Sequence, residues 1–202
     1  MNTPPAHSLR NSSNSLVPLS GAKQRLHGFT LVELLMSLAV MAILVTFAVP
    51  SFSAILGSSK LVAASNALLS SLHLARSEAI KRNSRVALCK TADGVSCAIA
   101  GGWEQGWIVF HDTNNSGDRD SNEPIIQHIQ PLTGSVRLTG NSNVAKYVSF
   151  MSTGATKMVA GGFQAGTLTI CNQSATSSEA RQIVLNAVGR PRVQRVAVSS
   201  CV

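Results

Sequence analysis

Residues 28–50 read GFTLVELLMSLAVMAILVTFAVP, and this segment sets the architecture of the chain. Its apolar run, 29–49, is 21 residues long and contains one acidic residue. As a helix rising about 1.5 Å per residue it would be about 30 Å long, which matches the hydrocarbon core of a bilayer. Arg10, Lys23 and Arg25 precede the run and no acidic residue does. The positive-inside rule therefore predicts a cytoplasmic N-terminus, with the bulk of the chain outside.

Three kinds of membrane signal compete for this segment. A secretory signal peptide could be cut near Thr46–Ala48, but the length of the run and the acid within it disfavour this interpretation. A plain signal anchor would leave Glu33 to reach back toward the membrane interface. In a prepilin-type signal the cut precedes the apolar run, and the run stays on the mature protein as an assembly helix.

The order of residues around Gly28 favours the third interpretation. Gly28, Phe29 and Glu33 stand in the sequence GFTLVE, which resembles the site of prepilin peptidases: glycine before the cut, an aromatic new N-terminus, and glutamate as the fifth mature residue. The resemblance implies cleavage after Gly28 and N-methylation of Phe29 by the prepilin peptidase/methyltransferase. It also implies that Glu33 pairs with the N-terminal ammonium of a neighbouring pilin, and that Pro50 kinks the helix. A carboxylate retained in hydrocarbon usually has such a partner.

The rest of the chain predicts an α+β domain. The apolar face of a second helical segment is formed by Leu61, Leu68, Leu72, Ala75 and Ala79, so one helix from about Phe29 to Asn83 is expected. Eight short β-like runs follow, separated by Gly, Asn and Ser clusters: RVALC, GWIVFHD, PIIQHI, SVRLT, YVSFM, TLTIC, RQIVLNAV and RVQRVAV. About 150 residues after the membrane run suit a single domain with its own core.

This order resembles the GspH/FimT family of type IV minor pilins and type II secretion pseudopilins. The similarity extends from Gly28 to the end and is carried by the prepilin site, by GWIVF before an Asp/Asn/Gly loop, and by YVSFMSTG and IVLNAVGRPR. It implies a type IV pilin-like fold: a long kinked N-terminal helix, transmembrane in its first half, packed on two antiparallel sheets. We therefore expect a cleaved leader (1–28), a transmembrane and assembly helix (29–49), its amphipathic continuation (50–83) and a periplasmic or extracellular β-rich domain (84–202).

Four cysteines follow the membrane segment, and none forms a CxxC pair. An even number in this context favours disulfides formed in an oxidising compartment. We predict Cys89–Cys97, which closes a small loop, and Cys171–Cys201, which ties down the C-terminal end. Four cysteines allow three connectivities, and four free thiols are the alternative.

The loop Asp112–Glu123 matches the EF-hand formula. Its oxygen-bearing residues and the terminal glutamate would be the calcium ligands: Asp112, Asn114, Ser116, Asp118, Asp120 and Glu123. The flanking segments are strands, whereas an EF-hand has helices, and Asn, Asp and Gly also build hairpin turns. A solvated hairpin loop is the interpretation we favour over a metal site.

The C-terminal segment GRPRVQR is the candidate for ligand contact. After Glu179 the chain carries four arginines and no acid, and from Phe29 onward its 14 basic and nine acidic residues give a formal charge of +5. Gly189, Arg190 and Arg192 match the GRxR motif of DNA-binding FimT-type pilins, and Arg195 follows. Guanidinium groups on an exposed turn suit contact with phosphates. The alternatives are a solvated basic turn and a docking surface for other minor pilins.

No enzyme or cofactor is predicted, because the sequence has no GxSxG, no phosphate-binding glycine loop and no paired catalytic carboxylates in a recognisable setting. Trp103 and Trp107 could stack on bases, but at the head of a strand we assign them to the core. The predicted function is that of an inner-membrane minor pilin that joins a type IV pilus, assists its assembly and binds DNA in natural transformation. Its implied partners are other pilins, the assembly platform and DNA. The alternative is a GspH-type pseudopilin of a type II secretion system.

Overall fold

The computed structural model describes residues 28–173 and 178–201, so the predicted leader up to residue 27 lies outside the described part. The described part contains one long helix followed by eight strands, and all eight predicted β-like runs form strands. Their bounds are α1 Leu31–Arg82, β1 Val86–Lys90, β2 Trp107–His111, β3 Ile125–Ile129, β4 Val136–Gly140, β5 Tyr147–Phe150, β6 Gly166–Asn172, β7 Ser178–Leu185 and β8 Pro191–Val198.

Helix α1 runs without interruption through Pro50 and Gly57. It ends one residue before the predicted Asn83, which adopts the left-handed conformation with φ at +49°. Asn83 N donates to Ile80 O and Ser84 N donates to Ala79 O, both at 3.2 Å. This pair of bonds is the Schellman pattern that satisfies the last carbonyls of a helix. The first part of helix α1, Leu31–Val49, is long and apolar enough to cross a membrane.

The chain divides into two compact units, one ending at Val45 and the other spanning Thr46–Val202. The second unit contains two four-stranded antiparallel sheets. The first has the order β3-β2-β1-β5 and the second the order β4-β6-β7-β8. The second half of α1 packs on these sheets, which confirms the predicted α+β, type IV pilin-like fold.

The core lies between the helix and both sheets. Every residue of the predicted apolar face of α1 is buried, and Leu68 and Leu72 are fully so. They pack in one cluster with side chains of both sheets: Val86, Leu88, Trp107, Val109, Val148, Phe150, Val136, Leu138, Leu168, Ile170, Ile183 and Leu185. The 3.6-residue period of this half of the helix and the alternation of the strands therefore converge on one main core between the helix and the sheets.

Both tryptophans belong to that core, as predicted, and each indole N–H has a partner. Trp103 Nε1 donates to Val144 O at 3.1 Å, and Trp107 Nε1 donates to Ser71 Oγ at 3.0 Å. Ser71 Oγ in turn donates to Gln127 Oε1 at 2.7 Å. This chain of bonds links α1 to β2 and β3 inside the core, where an unpartnered donor would be costly.

The cysteines are joined in the two predicted pairs, Cys89–Cys97 and Cys171–Cys201. The first bond covers the outer face of β1, where Cys97 packs with Ala87 and Cys89 in a small second cluster. The second connects β6 to the segment that follows β8. No cysteine is free.

Candidate functional site

The turn between β7 and β8, residues 186–190, carries Arg190, and the strand β8 that follows carries Arg192 and Arg195. The last pair of the hairpin ladder is Leu185 with Pro191. Asn186 closes the turn from within: Gly189 N donates to Asn186 O at 3.0 Å, and Arg190 N donates to Asn186 Oδ1 at 2.9 Å. The asparagine side chain thereby fixes the backbone at the first arginine of the motif.

Gly189 is buried at the base of this turn, against the loop that follows β5. Its φ is +73°, and a Cβ added there would lie 2.0 Å from Gly154 O. Arg76, on α1, donates from Nη1 to Gly189 O at 3.0 Å. The turn is therefore held from two sides, by the β5 loop and by the helix. Only glycine fits this close approach of two backbones.

Arg190 and Arg192 are both exposed and line one shallow depression together with Val184, Asn186 and Pro191. Neither is within ion-pair distance of an acid in the described part of the chain. Their guanidinium groups are thus available to an external anion. Two adjacent, permanently charged donor forks are suited to neighbouring phosphates.

Arg195 does not join this pair. Side chains alternate along a strand, so Arg192 and Arg195 project from opposite faces of β8. Arg195 lies opposite Arg181 in the ladder, and its Nε is 3.6 Å from Glu179 Oε1. The structure therefore places Arg190 and Arg192 together and Arg195 apart from them. The sequence motif alone did not make this distinction.

The Asp112–Glu123 loop uses its carboxylates to fold itself. Asp112 Oδ1 and Oδ2 accept from Ser116 N and Gly117 N at 2.9 and 3.0 Å. Glu123 Oε1 accepts from Thr113 N at 2.6 Å, and its Oε2 accepts from Asp120 N at 3.2 Å. The carboxylates of both end positions thus already serve as caps for loop amides.

Burial raises the pKa of the Asp112 carboxyl, and the two amide bonds oppose that rise only partly. Within residues 28–173 and 178–201, no three His, Cys, Asp or Glu side chains converge as a metal site would require. This geometry supports the hairpin-loop interpretation of residues 112–123. Calcium binding by these six residues stays the untested alternative to that interpretation.

The predicted processing residues lie at the start of α1. Thr30 is the residue before the helix, and its Oγ1 accepts from Glu33 N at 3.2 Å. The sequence T-x-x-E is the capping-box spacing. An acid in the first turn is also favoured by the helix dipole. Glu33 therefore has a local role in starting the helix in addition to its predicted role in assembly.

Three residues that hold the 186–190 turn in place were missed in the sequence. The sequence patterns singled out none of Arg76, Gly154 and Asn186. Asn186 had a usable signal, because Asn preceding a Gly-containing turn commonly caps backbone amides. The contacts of Arg76 and Gly154 arise from residues far apart in the chain and have no local signature.

Comparisons with known proteins agree with this architecture. The family described as type II transport protein GspH matches residues 64–189, and the prokaryotic N-terminal methylation motif matches residues 23–49. The type IV minor pilin FimU of Pseudomonas aeruginosa has a similar fold, with 20% identity and a TM-score of 0.56 over 72% of this chain and 97% of that chain. The minor pseudopilin EpsH of the Vibrio cholerae type 2 secretion system aligns at 14% identity and a TM-score of 0.47 over 67% of this chain and 96% of that chain. No curated protein matches the chain.

Proposed function

We propose that this chain, which belongs to the family of the type II transport protein GspH, is a minor pilin of a type IV pilus that contacts DNA through Arg190 and Arg192. Family membership makes it a structural subunit of the pilin and pseudopilin class and not an enzyme. The observation that carries the DNA proposal is a pair of exposed arginines, one in a turn locked to the fold and one at the start of β8, with no acid of the described residues within ion-pair distance of either.

The proposed path to the filament begins with the N-terminal signal. The prepilin peptidase cuts after Gly28 and methylates Phe29. The apolar helix holds the protein in the inner membrane, with the N-terminus in the cytoplasm and the β-rich domain in the periplasm. An assembly platform then transfers the subunit to other pilins. The match to the methylation motif and the apolar helix Leu31–Val49 support this path.

Contact with DNA would be directed at the phosphate backbone. The turn offers guanidinium groups, and arginine contacts to phosphate carry no sequence information. Each phosphate neutralised by a cation lowers the slope of log affinity against log salt by about 0.9 for duplex DNA. Binding is therefore expected to be independent of sequence and weakened by salt.

The test is a mobility shift of duplex DNA with the full chain in detergent micelles, at several salt concentrations. Replacing both residues, Arg190→Ala with Arg192→Ala, should weaken binding and reduce the salt slope by up to about 1.8. Arg195→Ala is a single-charge control, because it removes one positive charge from the face of β8 opposite Arg192. Equal binding by wild type and the double variant would exclude the site.

The second candidate function is that of a GspH-type pseudopilin in type II secretion, favoured by the description of the matching family. Both functions share the signal, the helix and the fold. A clean deletion scored for twitching, transformation and secretion separates them. Loss of secretion alone would replace the pilus proposal with this one.

A further inference from the structure

A short hairpin at residues 157–163 carries the most exposed aromatic side chain of the β-rich part. Lys157 and Phe163 form an isolated antiparallel bridge. Inside it, Met158 N donates to Gly162 O at 2.8 Å, and Gly161 N donates to Met158 O at 3.0 Å. The hairpin is thus closed by backbone bonds, and its shape does not depend on the Phe163 ring.

The base of this hairpin is fixed to β5 by two fully buried polar residues. Gln164 Oε1 accepts from Ser149 N, and Gln164 Nε2 donates to Tyr147 O, both at 2.9 Å. Thr156 Oγ1 donates to Gln164 O at 2.6 Å. The residues that flank the bridge are therefore immobilised, and Phe163 is held in place by its chain neighbours.

Phe163 differs from the other aromatic residues after the helix. Four of the remaining five, Trp103, Trp107, Phe110 and Phe150, are fully buried, and Tyr147 is half-buried with its hydroxyl bonded to Val159 N. The Phe163 residue is 79% exposed. Apart from its chain neighbours, a Cβ built on Gly161 or Gly162 would meet nothing within 4 Å, so the tip of the hairpin borders open space. A single exposed apolar side chain is common on protein surfaces. What distinguishes Phe163 is the set of residues around it.

Those surroundings are apolar and cationic. Phe163 borders a depression whose lining includes Met151, Ala155 and Lys157 and contains no acid. The antiparallel bridge places the Cβ atoms of Lys157 and Phe163 on one face, about 4.5–5.5 Å apart. The stems of an aromatic and a cationic side chain therefore leave the hairpin on the same face.

The depression also adjoins the arginine-bearing turn. Thr156, which lines it, donates from its backbone N to Ala187 O at 3.2 Å, and its Oγ1 lies 3.1 Å from Asn186 O. Asn186 is the residue that caps Arg190. One buried residue thus connects the Phe163 depression to the turn that presents the two arginines.

We propose that Phe163 and Lys157 form a stacking site for an unpaired base of single-stranded DNA, next to the phosphate contacts of Arg190 and Arg192. The inference rests on the proposed function and adds the form of DNA that the surface takes. Aromatic residues in a positively charged groove are the common means of binding single strands, and each stacked base contributes about 1–3 kcal/mol. Bases within a duplex are already stacked on each other, so only single strands or frayed ends gain this contact.

The experiment uses a built-in optical contrast. Trp103 and Trp107 are fully buried, so Phe163→Trp places the one solvent-exposed tryptophan of the described residues at the site. Titration of this full-chain variant, in detergent micelles, with an oligothymidylate should quench the exposed tryptophan, and titration with a blunt duplex should not. In binding assays, Phe163→Ala should weaken single-strand affinity about 5- to 160-fold and leave duplex affinity unchanged. Val159→Ala, which trims another exposed apolar side chain of the same hairpin, is the matched control and should change neither.

The outcomes separate this inference from the function on which it rests. If the double arginine variant loses duplex binding but Phe163→Ala keeps full single-strand affinity, the stacking site is overturned and the arginine contact stands. If Phe163→Ala weakens single-strand binding while the arginine variant changes nothing, the stacking site stands and the arginine contact falls. If Phe163→Ala blocks only incorporation into filaments, the ring serves a protein contact and the inference is wrong. Failure of the wild type to bind either form of DNA overturns both.

Discussion

At the scale of single residues, Gly189 is where the fold and the candidate site depend on each other. The residue before the first exposed arginine must approach the backbone of Gly154, and it does so in the left-handed region. Its carbonyl is held by Arg76 from the helix. The direction in which Arg190 leaves the domain is therefore set by the contacts of Gly189 with Gly154 and Arg76. Neither of these two residues is proposed to touch the ligand.

Gly189→Ala should destabilise the domain by roughly 1–3 kcal/mol, because the new Cβ forces both a backbone clash and a strained φ. For a chain of this size that corresponds to a melting temperature lower by about 2–12 °C. Circular dichroism melting of the full chain in detergent measures it. Gly162→Ala is the control, since its Cβ would enter open space at an unstrained φ. Identical melting of both variants would contradict the described packing.

At the scale of elements, the first half of helix α1 was predictable from the length of its apolar run and the second half from its 3.6-residue period. The strands were predictable as short β-like runs between Gly, Asn and Ser clusters. Leu61, Leu68 and Leu72 repeat at helical spacing and are all buried. The strand order β3-β2-β1-β5 was not predictable, because β1 pairs with β5 across some 60 residues and no local pattern encodes that pairing. The same limit applies to the site: the GRPR segment can be recognised in the sequence, but Arg76 reaches it only through a tertiary contact.

The two disulfides should differ in what they contribute to stability. In the chain-entropy estimate, cross-linking stabilises by restricting the unfolded chain, and more so for longer loops. Cys171–Cys201 has a sequence separation of 30 and Cys89–Cys97 one of 8. The estimates are about 3.6 and about 2.5 kcal/mol.

The variant with both Cys171→Ser and Cys201→Ser should therefore melt at a lower temperature than the variant with both Cys89→Ser and Cys97→Ser. Thermal melting of the two variants beside the wild type checks this order. The reverse order would show that strain or packing around β1 outweighs the loop-length effect.

At the scale of the whole molecule, the chain combines an apolar N-terminal helix with a β-rich unit of mild positive charge. Glu33 is the single acid in the apolar run. Its backbone N–H donates to the Oγ1 of Thr30, which caps the helix. That hydrogen bond uses only the backbone of Glu33. The side-chain charge is left for the proposed contact with the new N-terminus of a neighbouring subunit, which would offset the cost of a carboxylate in hydrocarbon.

Glu33→Gln should separate these roles, because it keeps the backbone bond and the side-chain size but removes the charge. We expect normal cleavage after Gly28, accumulation in the membrane fraction, and absence from sheared filaments. Immunoblots of the two fractions measure this. Ser37→Ala, one turn further along the helix, is the control and should be incorporated normally. Wild-type incorporation of Glu33→Gln would remove the assembly role of the charge.

The bond between Cys171 and Cys201 has a mechanical consequence. It joins β6 to the segment beyond β8, so β7, the 186–190 turn and β8 lie within one covalent ring. A force applied at Arg190 would detach the β7–β8 hairpin from the sheet, starting at its turn. The detachment would stop at the disulfide. If a retracting filament pulled on a cargo bound at this turn, the force would act on the covalent ring closed by Cys171 and Cys201. The ring can extend only by the length of chain between the two sulfurs.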